Sequence, residues 1–308
     1  MTEKDISTIM AMLSYKRPAG SPGEKTFINR FLRPLKPKTD DFGNLFVTIG
    51  KNPSILWSSH TDSVHWDTGK QDVVLKDNFV HLTEDSKSNC LGSDDAAGVW
   101  IMMEMIKASV PGLYIFHSSE EIGCLGSRFI RNKTPHVLDG IKAAVAFDRR
   151  DVHSVITHQG KRCCSDAFGI SMAKQLPARF KLDDTGFVTD TKIYLDVVPE
   201  CTNISVGYYN EHSPNEKLDI AHLIELRDHM VKIDASKFVI ERDPHPLTKF
   251  KSLFGNRENP TTIYDLIWVY PSEVAEVLEE AGIISFEELK SEVNSLRALN
   301  RQPLKLSA

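Results

Sequence analysis

Residues 55–62 read Ile-Leu-Trp-Ser-Ser-His-Thr-Asp. The first five carry no charge and do not alternate between apolar and polar. A short run of this kind suits a strand buried on both faces, as in the middle of a parallel sheet. It stops on a histidine and an aspartate, side chains that an apolar layer does not hold. In open α/β sheets, functional groups collect where strands end.

Outward from this strand, the pattern repeats. Leu45–Ile49 reads as a strand after the turn DDFGN, and Leu113–His117, Ala143–Phe147, Val155–His158 and Thr202–Val206 are further strand candidates. Apolar residues at helical spacing mark 3–15 (Ile6, Ile9, Met10, Leu13) and 23–34 (Phe27, Phe31, Leu32), separated by the breaker stretch RPAGSPG. The run AAGVWIMMEMIKA predicts a helix over Asp95–Ala108, with a short one over Arg128–Asn132 and longer ones over 164–175 and 217–233. The polar segment 64–90 offers one hairpin, across Asp72–Leu82. Strands alternating with helices predict an α/β fold, a mixed and largely parallel central sheet sandwiched by helices.

Composition shifts after about residue 235, where SKFVIERDPHPLTKFKSLFGNRENP is charged and broken by proline. Beyond it, Pro271-Ser272 opens a helix through Glu280, Gly282 stops it, and Ser285 with Glu288 forms a capping box for another. The expected organisation is a catalytic domain over 1–239 and a helical appendage over 240–308. Candidate roles of the appendage are capping the fold, self-association into a homo-oligomer, or docking a partner.

The 308 residues carry a formal charge of −5. Such a chain has no global field that gathers nucleic acid or anionic lipid. No apolar run approaches the roughly 20 residues that span a bilayer. The opening MTEKDISTIMAMLSYK does not read as a secretory signal. The five cysteines, Cys90, Cys124, Cys163, Cys164 and Cys201, are odd in number and lack a CxxC pair. They fit small buried hydrophobes in a reducing compartment, so a cytoplasmic location is expected.

Five segments bring a carboxylate or an imidazole to a strand exit or a helix start. They are His60-Thr61-Asp62, Gly92-Ser93-Asp94-Asp95, Ser118-Ser119-Glu120-Glu121, Asp148, and the segment GYYNE ahead of His212. Taken singly, each has an ordinary structural explanation, such as a helix cap for Asp94-Asp95. Taken together, two histidines and three carboxylates suffice for two metal sites if one carboxylate bridges. A metal pair lowers the pKa of a water and polarises a carbonyl, and a further carboxylate outside the ligand set must move the proton. Of adjacent Glu120 and Glu121, one can bind metal while the other faces the water. The H-x-D spacing lets Asp62 reach the free ring nitrogen of His60.

The order H-x-D, G-x-D-D-x-x-G, E-E, D, H resembles the cocatalytic di-zinc exopeptidases, a group of aminopeptidases and carboxypeptidases. Here the motifs are His60-Thr61-Asp62, Gly92–Gly98, Glu120-Glu121 followed by Gly123, Gly126 and Ser127, Asp148, and His212 in YYNEHSPNE. The resemblance covers roughly residues 5–233. It implies Asp94 as the bridging carboxylate, His60 and Asp148 completing one zinc site, and Glu121 and His212 completing the other. It makes Glu120 the general base acting on a bridging water, gives Asp62 the orientation of His60, and allows a cis Asp94–Asp95 peptide. The intervals from His60 to Asp94 (34 residues) and from Asp148 to His212 (64 residues) are too short for the lid or dimerisation domain that many relatives insert. The implied branch is the compact, single-domain aminopeptidase-like one. Its substrate would be a peptide or aminoacyl small molecule, its cofactor two Zn²⁺, with Co²⁺ or Mn²⁺ as substitutes. The competing readings are an N-acyl amino acid amidohydrolase or carboxypeptidase of the same fold, and a non-enzymatic binding module.

Overall fold

A computed structural model describes residues 2–244 of the chain, which belong to one compact unit. The appendage expected over 240–308 lies outside the described residues from position 245 onward, its helical hairpin entirely so.

Eight strands form the main sheet: β1 (Lys38–Thr39), β2 (Leu45–Ile49), β3 (Ile55–His60), β4 (Gly112–His117), β5 (Ala143–Arg149), β6 (Ser154–Ile156), β7 (Lys181–Asp183) and β8 (Glu200–Ser205). Their spatial order is β7-β6-β8-β5-β3-β4-β2-β1. The central four, β8, β5, β3 and β4, are parallel to one another. β2 joins β4 antiparallel, and β6 joins β8 antiparallel. The sheet is therefore mixed with a parallel centre.

Burial explains why the central runs do not alternate. All six residues of β3 are buried, as are all six of β4. Trp57, Tyr114, Phe116, Val145 and Phe147 join one apolar cluster, while Leu56, Ile115 and Ala144 join another on the opposite face. Helices α1 (Glu3–Leu13), α3 (Ser93–Lys107), α5 (Asp166–Ala173) and α6 (Ile220–Met230) contribute to the first cluster. Helix α4 (Leu125–Lys133) contributes Ile130 to the second. The expected helical stretch 23–34 is a short helix α2 (Pro22–Phe27) that runs on through a π turn at Ile28–Leu32.

A smaller antiparallel sheet pairs Tyr208–Tyr209, Lys217–Asp219, Phe79–Leu82 and Val73–Lys76. The expected hairpin turns at Asp77-Asn78, both with positive φ (51° and 67°), as a tight two-residue turn requires. The helix expected from 217 instead begins at Ile220. Lys217–Asp219 pairs with Phe79–His81, and the Asp219 carboxylate accepts from His222 N to cap the helix.

Two contacts fix the segments that carry the site. Arg17, fully buried, donates from Nε to Thr61 O (3.1 Å) and from Nη2 to Gly92 O (2.9 Å), tying the exit of β3 to the approach of α3. Gly98 lets α3 lie directly on β5, because a Cβ there would stand 2.2 Å from the Phe147 carbonyl oxygen and 2.5 Å from Asp95 Oδ1. Alanine is the better helix former by about 1 kcal/mol, yet Gly98→Ala is expected to destabilise the chain by about 1–3 kcal/mol through overpacking. Urea unfolding measures the sign, and a raised midpoint would contradict the close α3–β5 contact.

Candidate metal centre

His60 is the last residue of β3, Asp148 lies in β5, and Asp94 stands in the first turn of α3. Asp94 and Asp95 depart from helical φ/ψ, and the peptide between them is cis. Glu120 and Glu121 follow β4. His212 follows Tyr208–Tyr209 with φ at +62°. The five expected ligands thus come from five separate segments, and the sheet brings them together.

The arrangement divides about Asp94. His60 Nε2 is 2.9 Å from Asp94 Oδ1 and 3.6 Å from Asp148 Oδ1. His212 Nε2 is 3.2 Å from Asp94 Oδ2 and 3.2 Å from Glu121 Oε2. Each oxygen of Asp94 faces a different imidazole, and each imidazole faces a second carboxylate. Donor atoms of His60, Asp94 and Glu121 also lie close enough to share one ion, as do those of His60, Asp95 and Asp148. Asp95 is already committed, however. Its Oδ2 accepts from Ser59 Oγ (2.5 Å) and His60 N (3.1 Å), and its Oδ1 from Gly98 N (2.9 Å). It holds strand to helix.

The surrounding side chains fix the ligands. Asp148 Oδ1 accepts from Tyr208 Oη (3.0 Å) and Oδ2 from Thr189 Oγ1 (2.7 Å), while Asn203 brackets its backbone at N and O. Buried Glu216 accepts from the backbone N–H groups of Leu91, Gly92, Ser93 and Asp94, shaping the loop that presents Asp94. Asp62 does more than face His60. Its Oδ1 is 3.5 Å from His60 Nδ1, a nitrogen without a hydrogen-bond partner among the described residues. Its two oxygens accept from Glu120 N (3.0 Å) and Glu121 N (3.2 Å). Asp62 therefore orients the glutamate pair directly. The chain turns directly after Glu120, with Gly123 N and Cys124 N both donating to Glu120 O. Glu121 reaches His212, whereas Glu120 Oε1 accepts from Cys124 Sγ (3.4 Å). Thr189, Tyr208, Asn203 and Glu216 hold expected ligands in place, and the sequence reading did not single them out.

The site concentrates buried charge. Burial and the neighbouring charges of Asp148, Asp190 and Asp94 push Glu120 up to about 10, despite the opposing pull of His60. Burial and Asp94 lift Glu121 to about 7. Burial opposes charge on Asp94, but its hydrogen bonds with His212 and His60 hold it well below the usual carboxylate range. Burial likewise opposes charge on His60, yet the surrounding carboxylates of Asp148, Asp62 and Asp94 raise it well above an ordinary histidine. Asp94 and Glu121 push His212 up to about 11. A buried oxygen of Glu121, Oε1, has no hydrogen-bond partner. A crowd of buried carboxylates around two imidazoles is a donor set that a cation would neutralise. The donor set, imidazole nitrogen with carboxylate oxygen, suits Zn²⁺ and its first-row neighbours.

Solved structures share this architecture. A tripeptidase from Staphylococcus aureus superposes with a TM-score of 0.59 at 14% identity, covering 75% of this chain and 96% of that one. The aminopeptidase PepT from Bacillus cereus gives 0.56 at 15%, covering 74% and 96%. The TET1 peptidase from Pyrococcus horikoshii, which assembles into a tetrahedron or a large octahedral shell, gives 0.56 at 16%, covering 74% and 98%. This chain has the fold of these peptidases. No family model matches the sequence, and no curated protein matches it. Among the described residues, no helix is long and apolar enough to cross a membrane.

Metal entry at these residues would displace protons from His60 and His212, and below about pH 7 from Glu121 as well. All three have pKa values raised above the ordinary range, so binding releases protons and strengthens as pH rises. The apparent zinc affinity is expected to fall about tenfold per pH unit for each proton displaced between pH 8 and 6. Competition titration with a chelating dye reads this slope, and an affinity independent of pH would contradict the ligand assignment.

Proposed function

We propose that the chain is a metal-dependent peptidase that removes amino-terminal residues from peptides, working with two zinc ions. One observation carries the reading: the two oxygens of Asp94 each face a separate imidazole–carboxylate pair. In this reading Asp94 bridges, His60 and Asp148 hold one ion, and Glu121 and His212 hold the other. The ions supply Lewis acidity toward a water and the scissile carbonyl.

The chain's own residues do the rest. Glu120 lies beside both ligand sets but contacts neither histidine, so its carboxylate is free to take a proton from the attacking water and return it to the leaving amine. Its raised pKa comes from burial and from carboxylates whose charge is not neutralised. Neutralising them brings Glu120 back toward the ionised form that a base requires. Asp62, accepting from Glu120 N and Glu121 N, sets the direction of both side chains. Burial of His60 and Asp94 keeps bulk water from competing for the ligand positions. The aminopeptidase reading over the acyl amino acid hydrolase is supported by the compact chain, with short intervals between motifs, and by the peptidase activity named for the structural neighbours. The five cysteines, all buried and free, agree with a reducing cytoplasm.

The test separates proton transfer from metal binding. Glu120→Gln is expected to keep two zinc ions per chain, measured by plasma emission, while hydrolysis of aminoacyl p-nitroanilides falls by roughly 10² to 10⁴. His212→Ala should lose one of the two ions. Loss of metal in Glu120→Gln would instead make Glu120 a ligand, and a wild type that cleaves N-acyl amino acids but no aminoacyl substrate would favour the amidohydrolase.

A further inference from the structure

Beside the candidate metal centre, the described residues leave two large apolar side chains uncovered. Phe187 is 71% exposed and Val188 is 50% exposed. Both line the same cleft, of about 340 Å³, as Asp94, Glu120, Glu121 and Asp148. Scattered exposed apolar residues are ordinary on a protein surface, so position and rigidity must decide whether these two matter.

The segment that carries them is pinned on both sides. Gly186 packs so closely that a Cβ would stand 2.3 Å from His158 O and 2.3 Å from Ile156 Cγ2. On the other side, Thr189 Oγ1 donates to Asp148 Oδ2 (2.7 Å), and the buried Asp190 places Oδ2 3.3 Å from His117 Nδ1. The Phe187 ring is also met from a second segment. The Arg150 guanidinium carbon lies 5.8 Å from the ring centroid, and Arg150 Nη1 donates to Glu211 Oε1 (3.1 Å), one residue before His212. Two exposed apolar side chains are therefore held one and two positions from a residue that hydrogen-bonds an expected metal ligand.

We propose that Phe187 and Val188 form the wall that selects the substrate's side chain, and that the preferred substrates are peptides with a leucine-, methionine- or phenylalanine-like amino-terminal residue. This rests on the peptidase reading above. A carbonyl that enters between Asp94 and Glu120 carries its side chain one carbon away, in the cleft that Phe187 and Val188 line. Covering apolar surface on both partners selects by size and apolarity, and roughly 10- to 100-fold discrimination is the expected scale for a leucine over an alanine side chain.

The experiment uses the zinc-loaded full chain and two readouts. In hydrolysis, the wild type is expected to favour leucyl over alanyl p-nitroanilide by about 10-fold or more in kcat/KM. Phe187→Ala and Val188→Ala should each shrink that ratio at least about threefold, chiefly through KM, and Phe187→Leu should restore most of it. In calorimetry, leucine hydroxamate should bind the wild type more tightly than glycine hydroxamate, and the difference should shrink in the alanine variants. Thermal melting checks that the variants fold. A wild type without preference for the leucine probes, or variants that lose leucine and small-residue probes in equal proportion, would overturn the wall. If no peptide is cleaved at all, the peptidase reading fails, while the hydroxamate comparison still decides whether Phe187 and Val188 recognise an apolar side chain.

Discussion

The site depends on a concentration of buried negative charge around Asp94. Asp94, Asp148 and Glu121 converge on two imidazoles, with Glu120 lining the same cleft. Such a group is costly to bury unless it is neutralised. The fold does not relieve the cost by spreading the carboxylates apart. It fixes them with further buried acids: Glu216 under the Asp94 loop, Asp95 between β3 and α3, and Asp62 under the glutamate pair. Each of these accepts backbone N–H groups, so each is satisfied by hydrogen bonds and does not depend on a cation. The remaining acids and histidines are the ones that the proposed function assigns to metal.

The parallel centre of the sheet makes this convergence possible. β3, β4 and β5 run side by side in one direction, so His60, the Glu120–Glu121 turn and Asp148 reach the same edge. The close seat of α3 on β5, allowed by Gly98, brings Asp94 into their midst. The small second sheet then carries Tyr208 to Asp148 and positions the segment of His212.

Much of this was legible in the sequence for a simple reason. Strands buried on both faces, such as Ile55–His60 and Gly112–His117, cannot be amphipathic, so their apolar runs stand out. Their polar ends are then conspicuous, and the ordered motifs from His60 to His212 could be read as a group. What stayed hidden depends on partners distant in sequence. Lys181–Asp183 is a polar edge strand that exists because Ser154–Ile156 pairs with it in parallel. Lys217–Asp219 becomes a strand through Phe79–His81 rather than through any propensity of its own. Glu216 stands in the quoted motif YYNEHSPNE, yet nothing local says that it caps a loop more than 120 residues earlier. Asp62 was read from its two-residue spacing to His60, and its bonds to Glu120 N and Glu121 N needed the fold to be seen.

The central claim is that Asp94 lies between two metal ions. The most direct measurement is anomalous diffraction at the zinc edge from crystals of the zinc-loaded protein. The account predicts two peaks about 3.5–4 Å apart, one beside His60 and Asp148 and one beside Glu121 and His212, with an oxygen of Asp94 on each. A single peak, or peaks elsewhere with Asp94 uncoordinated, would contradict it.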